Sequence, residues 1–79
     1  MRDRIQQIAA GVFGMPVEEM PADAANDTLA GWDSLQHLEL MMAIEMEFGV
    51  HVSSEAMPAL LSLEAIEDYL REQGVVTPA

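Results

Sequence analysis

The sequence predicts a small all-α protein, a four-helix bundle with three longer helices, one short helix and a long first loop. Three observations predict this class. Apolar residues recur with helical spacing in three segments, polar capping residues and glycines bound those segments, and 79 residues suffice for one thin core. We expect residues 1–74 to form the domain and residues 75–79 to be a frayed tail.

The first helix occupies the N-terminal segment and closes near Gly14 and Pro16. Its apolar residues follow the spacing i, i+3, i+4, i+7 and i+8: Ile5, Ile8, Ala9, Val12 and Phe13. Residues 15–32 show no sustained period and contain several turn formers. A loop this long in a small domain is usually either functional or disordered. We expect four apolar residues to pin it to the core: Val17, Met20, Leu29 and Trp32.

The second helix is predicted from Asp33 or Ser34 to Phe48, with Gly49 ending it, and Asp33 with Gln36 fits a capping box. At about 100° per residue, one apolar face contains His37, Leu40, Met41, Ile44 and Phe48. The opposite face contains Leu35, Leu38, Met42 and Met46, bordered by Glu39 and Glu45. In a chain this short, a second apolar face indicates an exposed binding surface rather than a second core.

The remaining segments predict a short third helix and a longer fourth one. After an extended connector at residues 50–52, Ser53 or Ser54 can cap a helix reaching Leu60, which Pro58 makes brief or irregular. Ser62 then caps a helix that stops at Gly74 and carries Leu63, Ile66, Tyr69 and Leu70.

Charge is the most unusual feature of the composition. Fourteen acidic residues face three arginines and no lysine, for a formal net charge of −11. Such a surface repels nucleic acids and anionic membranes and attracts basic patches on partner proteins. The chain has no cysteine, which excludes disulfides and thiolate metal sites. We find no apolar stretch long enough to span a bilayer and no signal-peptide pattern, and therefore expect a soluble, cytoplasmic protein that binds no metal.

The sharpest local feature is the segment Gly31-Trp32-Asp33-Ser34-Leu35, where the long loop enters the second helix. Gly31 permits a tight turn, and Ser34 lies in the first helical turn at the positive end of the helix dipole. A phosphate on Ser34 would meet unpaired backbone amides there. An ordinary capping serine explains the same residue equally well, so the physics leaves both interpretations open.

Two rival functions fail on their required residues. A calcium-binding EF-hand loop starting at Asp23 would place Ala25, Thr28 and Ser34 where an oxygen ligand, glycine and glutamate are needed. A serine hydrolase needs a general base and an oxyanion hole on a suitable scaffold, and the nucleophile-elbow motif is absent. A helical protein-interaction domain that uses the exposed apolar face remains as an alternative.

The context of Ser34 closely resembles acyl carrier proteins. Asp33-Ser34-Leu35, then Leu38-Glu39-Leu40 and the run from Ile44 to Gly49, are similar to that family's attachment motif and second helix. The likeness continues through Val52, Ser53-Ser54-Glu55, Leu60, the run from Ser62 to Ile66, and Asp68-Tyr69-Leu70, and covers roughly residues 2–73.

The resemblance implies a carrier and not an enzyme. In that family a transferase moves 4′-phosphopantetheine from coenzyme A onto the motif serine, here Ser34, flanked by Asp33 and Leu35. The arm ends in a thiol that holds cargo as a thioester. Partners would be that transferase and acyl-loading and acyl-processing enzymes with basic docking patches, meeting a monomeric carrier. The implied partner-binding residues are Asp33, Leu35, Leu38, Glu39, Met42, Glu45, Met46 and Glu47.

Departures from the family pattern indicate a subtype. Gln36 and Met46 occupy positions that are often acidic in carriers of primary fatty acid synthesis. Gly31-Trp32 before the motif resembles stand-alone carriers of specialised pathways, including polyketide, aminoacyl and D-alanyl carriers. We therefore expect a discrete, bacterial-type carrier of fatty acid, polyketide or similar biosynthesis, with an aminoacyl, D-alanyl or peptidyl carrier as the alternative. The sequence does not encode the cargo.

Overall fold

Three α-helices build the protein in a computed structural model that describes residues 1–75. They are α1 (Arg2–Phe13), α2 (Ser34–Phe48) and α3 (Leu63–Glu72), and two 3₁₀ turns lie at Val17–Glu19 and Met57–Ala59. The all-α class is confirmed. The count of four helices is not, because the predicted third helix is only the second 3₁₀ turn. Pro58 in that turn lacks the N–H that a longer helix would use.

The ends of the helices follow the capping residues that the sequence predicted. Gly14 and Gly49 adopt left-handed backbone angles, with φ of 69° and 65°, and terminate α1 and α2. Ser62 caps α3 by accepting a hydrogen bond from the Ala65 N–H at 3.0 Å. Glycine suits a left-handed helix end because it has no side chain to clash there.

The core lies where α1 packs against both α2 and α3. From α2 it receives Leu40, Met41 and Ile44, which confirms the predicted buried face of that helix. Loop and connector residues complete it. The full set of buried apolar residues is Ile5, Ala9, Ala10, Met20, Ala24, Trp32, Leu40, Met41, Ile44, Val52, Leu60, Leu63, Ile66 and Leu70.

The long loop between α1 and α2 is fixed to the rest of the protein. Met20 and Trp32 are buried and Leu29 is half-buried, as predicted. Val17 was predicted wrongly as a fourth pin, because it lies exposed in the first 3₁₀ turn. Backbone pairing adds a further restraint, since an isolated antiparallel bridge joins the loop at Ala25 to the segment just before α3.

A partly buried ion pair joins α1 to α3. Glu67 of α3 is 7% exposed and accepts a hydrogen bond from the Arg2 guanidinium at 2.9 Å. That hydrogen bond lowers the pKa of the Glu67 carboxyl below its ordinary value, against the opposing effect of burial. Arg2 also donates to the carbonyl of Ala22 at 2.9 Å, so the same side chain anchors the long loop.

The described chain ends just after α3. The Val75 N–H donates to the Leu70 carbonyl at 2.9 Å, and the Val75 side chain packs against the core. Residues 76–79, which make up the rest of the predicted tail, lie outside the described residues. The division into a domain at residues 1–74 and a frayed tail stays a prediction.

Candidate functional site

Ser34 is the first residue of α2, and its position is set by the residue before it. The Asp33 carboxylate accepts a hydrogen bond from the Gln36 N–H at 2.9 Å, which is the predicted cap. The reciprocal half of the predicted capping box is missing, because Gln36 Oε1 is buried without a hydrogen-bond partner. The Ser34 side chain is exposed to solvent. A hydroxyl at this place is accessible to another protein.

The start of α2 is favourable for a negatively charged group on Ser34. The first intrahelical hydrogen bond runs from the His37 N–H to the Asp33 carbonyl at 2.8 Å. The N–H groups of Ser34 and Leu35 therefore precede the helical ladder and have no helical acceptor. Such amides, together with the helix dipole, stabilise a phosphate at a helix N-terminus. The residues present fit a phosphodiester on Ser34.

An open cavity of about 570 Å³ lies beside Ser34. Its walls come from the end of the long loop, the first turns of α2 and the second 3₁₀ turn. Its lining includes Trp32, Ser34, His37, Met57, Pro58 and Leu61. Cavities between about 300 and 1,000 Å³ that combine apolar walls with a few polar groups are typical of small-molecule sites.

A hydrogen-bonded bridge crosses this region, and the sequence did not predict it. The Trp32 indole N–H donates to His37 Nδ1 at 3.0 Å, and His37 Nε2 lies 2.8 Å from the Met57 carbonyl oxygen. Because an indole nitrogen only donates, Nδ1 accepts, and Nε2 carries the proton given to Met57. The sequence signal was available, since Trp32 and His37 occupy the two positions of a hydrophobic staple around the Asp33 cap.

The second apolar face of α2 is open to solvent. We call Leu35, Leu38, Met42 and Met46 the exposed apolar face; Met46 is 85% exposed and Leu35 is 65% exposed. Core residues occupy the opposite side of the helix. The structure therefore brings all four predicted apolar residues together on one surface that begins beside Ser34. Large exposed apolar side chains in a cluster are a common mark of protein-interaction sites.

The acidic residues predicted to border this face differ in their surroundings. Glu39 is exposed and has no hydrogen-bond or ion-pair partner within residues 1–75. Glu45 Oε2 accepts from the Val52 N–H at 2.8 Å and lies 3.3 Å from His51 Nδ1. The Glu45 carboxylate thus stabilises the connector after α2, which its spacing in the sequence could not reveal.

Glu47 lies away from the predicted surface. It forms an ion pair with Arg4 of α1, on the side of α2 that approaches α1. About 100° of helical rotation separates Glu47 from Met46. Of the three acids that the sequence placed within the helix as partner contacts, Glu39 is the one whose charge is exposed beside the apolar face.

Metal and membrane features complete the description. Within residues 1–75 no group of three or more histidine, cysteine, aspartate or glutamate side chains is placed to hold a metal ion. None of the helices described combines the length and the apolar character that crossing a bilayer requires.

The chain is similar to a known protein family and to many known proteins. Residues 3–70 match the protein family described as "Phosphopantetheine attachment site". The chain is also similar to the acyl carrier protein of Rickettsia bellii (strain RML369-C), with 31% identity over 72 residues. That alignment covers 91% of this chain and 84% of the relative.

Proposed function

This chain belongs to the acyl carrier protein family, and from that premise we propose that it carries acyl groups as thioesters on a 4′-phosphopantetheine arm attached to Ser34. Proteins of this family are carriers that interact with transferases and biosynthetic enzymes. The prosthetic group of the family is phosphopantetheine. The attachment residue, the partner surface and the pathway are the parts that we propose here.

One observation carries the assignment of Ser34. Its hydroxyl is exposed at the first position of α2, where the Asp33 cap fixes the helix start and leaves the first amides facing outward. On attachment, Ser34 Oγ would form a bond to the phosphorus next to pantetheine, the pyrophosphate linkage of coenzyme A would break, its nucleotide part would leave, and the hydroxyl proton would pass to the transferase. The bound arm supplies a thiol, which the cysteine-free chain lacks. The protein positions the arm, offers it the adjacent cavity and presents it to partner enzymes.

The partner surface follows from the structure of α2. We assign docking to the exposed apolar face, with Glu39 and Asp33 as the acids that meet a basic patch on the transferase or on the loading and processing enzymes. Desolvated apolar residues hold such complexes, and charges at the rim steer their encounter. The net charge of −11 supports basic partners and opposes nucleic acid and anionic membranes. We expect a monomer in the cytoplasm.

The proposal extends to the kind of biosynthetic pathway that this carrier serves. We favour a discrete carrier of a specialised pathway over one of primary fatty acid synthesis, because Gln36 and Met46 weaken the acidity of α2 and Gly31-Trp32 precedes the motif. An aminoacyl, D-alanyl or peptidyl carrier uses the same arm and is the second candidate. The exposed apolar face also suits an unmodified interaction domain, which is the candidate from a different class.

Attachment can be tested by intact mass spectrometry. The protein is incubated with coenzyme A, magnesium and a broad-specificity phosphopantetheinyl transferase. We expect wild type to gain one phosphopantetheine and Ser34→Ala to gain none. Ser54→Ala is the matched control, because Ser54 lines the same cavity and is also exposed. Labelling of Ser34→Ala at the wild-type level, or no labelling by several transferases, would leave the unmodified interaction domain as the better reading.

A further inference from the structure

One side chain connects the three segments that surround the cavity beside Ser34. His37 belongs to α2, accepts a hydrogen bond from Trp32 of the long loop and donates one to the Met57 carbonyl of the second 3₁₀ turn. Ser34 lies on the same helix one turn earlier. The positions of the long loop and of the second 3₁₀ turn relative to α2 therefore depend on the His37 side chain.

The bridge fixes the imidazole and both of its partners. With Nδ1 accepting and Nε2 donating, the ring has one tautomer and one orientation. The Trp32 and His37 rings lie edge to edge across this hydrogen bond, with centroids 6.1 Å apart and an angle of 27° between the planes. The Phe13 ring packs near the indole, with 5.4 Å between the ring centroids. On the other side, the bonded carbonyl of Met57 directly precedes Pro58, which also lines the cavity. The short turn is thus tied to α2 at the cavity wall.

We propose that His37 is a positioning residue for the prosthetic arm. Its hydrogen-bonded bridge keeps the cavity walls at a separation that lets the arm bind against the protein when no partner enzyme is bound. This inference rests on the proposed attachment at Ser34. The cavity combines apolar walls from Trp32, Met57 and Leu61 with polar groups at its edge. That combination suits an arm built from amide groups separated by methylenes. Loss of the bridge would leave attachment intact and leave the arm less protected.

The arm's terminal thiol provides a readout that needs no partner enzyme. The chain contains no cysteine, so this thiol is the sole thiol of the loaded protein. We would measure its reaction rate with a chromogenic disulfide reagent and divide it by the rate of coenzyme A in the same buffer. Wild type should react more slowly than coenzyme A. His37→Leu removes both hydrogen bonds of the bridge and should react at least roughly two- to ten-fold faster than wild type, the range that corresponds to the net effect of one of them.

A conservative variant separates positioning from mere packing. In His37→Gln, the amide oxygen can accept from Trp32 and the amide N–H can donate to Met57, so the thiol rate should stay near that of wild type. Trp32 is the one tryptophan of the chain, and its indole N–H signal in NMR reports whether the bridge is formed. His51→Gln, at the exposed second histidine, is the control and should change neither measurement.

The outcomes distinguish this inference from the proposed function. Absence of a mass gain on wild type contradicts attachment itself. A normal mass gain, a shifted indole signal in His37→Leu and an unchanged thiol rate would show that the bridge only packs the protein, which overturns the inference. A wild-type thiol as reactive as that of coenzyme A would overturn it as well. If His37→Leu fails to fold by circular dichroism, Trp32→Phe removes the same indole N–H and replaces it in the comparison.

Discussion

The two faces of α2 carry nearly the same side chains and do opposite things. Met41 is fully buried, whereas Met42, the next residue, is 54% exposed. Likewise, Leu40 is buried and Leu38 is exposed. Hydrophobicity alone therefore does not decide the role of these residues. What decides it is whether the side chain faces the core, on the side of α2 that packs against α1, or faces solvent. The buried face stabilises the fold, and the exposed apolar face is left for a partner.

The largest expected effect contrasts the two methionines. Met41→Ala removes a fully buried side chain and leaves a cavity, so it should lower the free energy of unfolding by about 2–5 kcal/mol. Met42→Ala removes the same atoms from an exposed side chain and should change the free energy of unfolding by less than about 0.5 kcal/mol. Urea unfolding followed by circular dichroism measures both. Equal losses for the two variants would mean that the exposed face is part of the core in solution.

The next prediction compares the stability lost on substituting a buried glutamate with that lost on substituting an exposed one. Glu67 accepts a hydrogen bond from Arg2, and Glu67→Gln should cost about 1–3 kcal/mol, since hydrogen bonds to charged groups are the stronger ones. Glu64 is exposed on the same helix, and Glu64→Gln is the matched control. Thermal unfolding at neutral pH compares them. A loss in Glu64→Gln as large as in Glu67→Gln would contradict this assignment.

The same pair predicts a pH dependence with a definite sign. Because the folded-state pKa of Glu67 is lowered, the carboxylate contributes stability that is present above its ordinary value of about 4.5. That contribution is lost as the pH falls through the lower folded-state pKa. Wild type should therefore lose more stability than Glu67→Gln between about pH 5 and pH 3. Parallel curves for the two proteins would show that Arg2 does not stabilise the ionised carboxyl.

Much of this architecture could be predicted from local sequence signals. Helical spacing, the Asp33 and Ser62 caps and the glycines at 14 and 49 are short-range features, and the helices begin and end as they indicate. Exposure of the second apolar face of α2 was also predicted, from the small size of the chain. The length of the helix predicted between residues 53 and 60 was overestimated, because Pro58 and the short segment around it support only a 3₁₀ turn.

Long-range contacts could not be predicted in the same way. Glu45 borders the exposed apolar face on a helical wheel as Glu39 does, but its carboxylate accepts a hydrogen bond from Val52 of another segment. Glu47 lies off that face on the same wheel, and its partner, Arg4, comes from α1. The His37 bridge depends on a carbonyl 20 residues away.

The predicted turn at Gly31 does form, since the Trp32 N–H donates to the Leu29 carbonyl at 3.0 Å and the Asp33 N–H to the Gly31 carbonyl at 3.1 Å. The turn does not depend on glycine, because Gly31 has no positive φ and an added Cβ would meet nothing within 4 Å.

A smaller effect distinguishes the two acids that border the exposed apolar face. Glu45→Ala removes the acceptor of the Val52 N–H and should cost about 1 kcal/mol of stability, whereas Glu39→Ala should cost less than about 0.5 kcal/mol. Chemical denaturation measures the difference. This comparison also decides which acid can report on partners, because a destabilising substitution at Glu45 would confuse binding with folding. Equal stabilities would mean that the Glu45 contact is not maintained in solution.

The smallest expected effect concerns the charge at the edge of the docking face. Glu39→Lys reverses an exposed charge beside Leu38 and Met42, so it should slow association with the phosphopantetheinyl transferase by about two- to five-fold at low salt. The difference should shrink at high ionic strength, because salt screens exposed charges. Met42→Ala is the matched comparison, and it should speed dissociation with little dependence on salt, because its contribution comes from apolar contact. Stopped-flow or surface-binding kinetics at two salt concentrations separate the two rates. If Glu39→Lys and Met42→Ala bind like wild type while reversal of Glu18 or Glu19, in the first 3₁₀ turn, slows association, then the partner docks on the long loop and the exposed apolar face of α2 is not its surface.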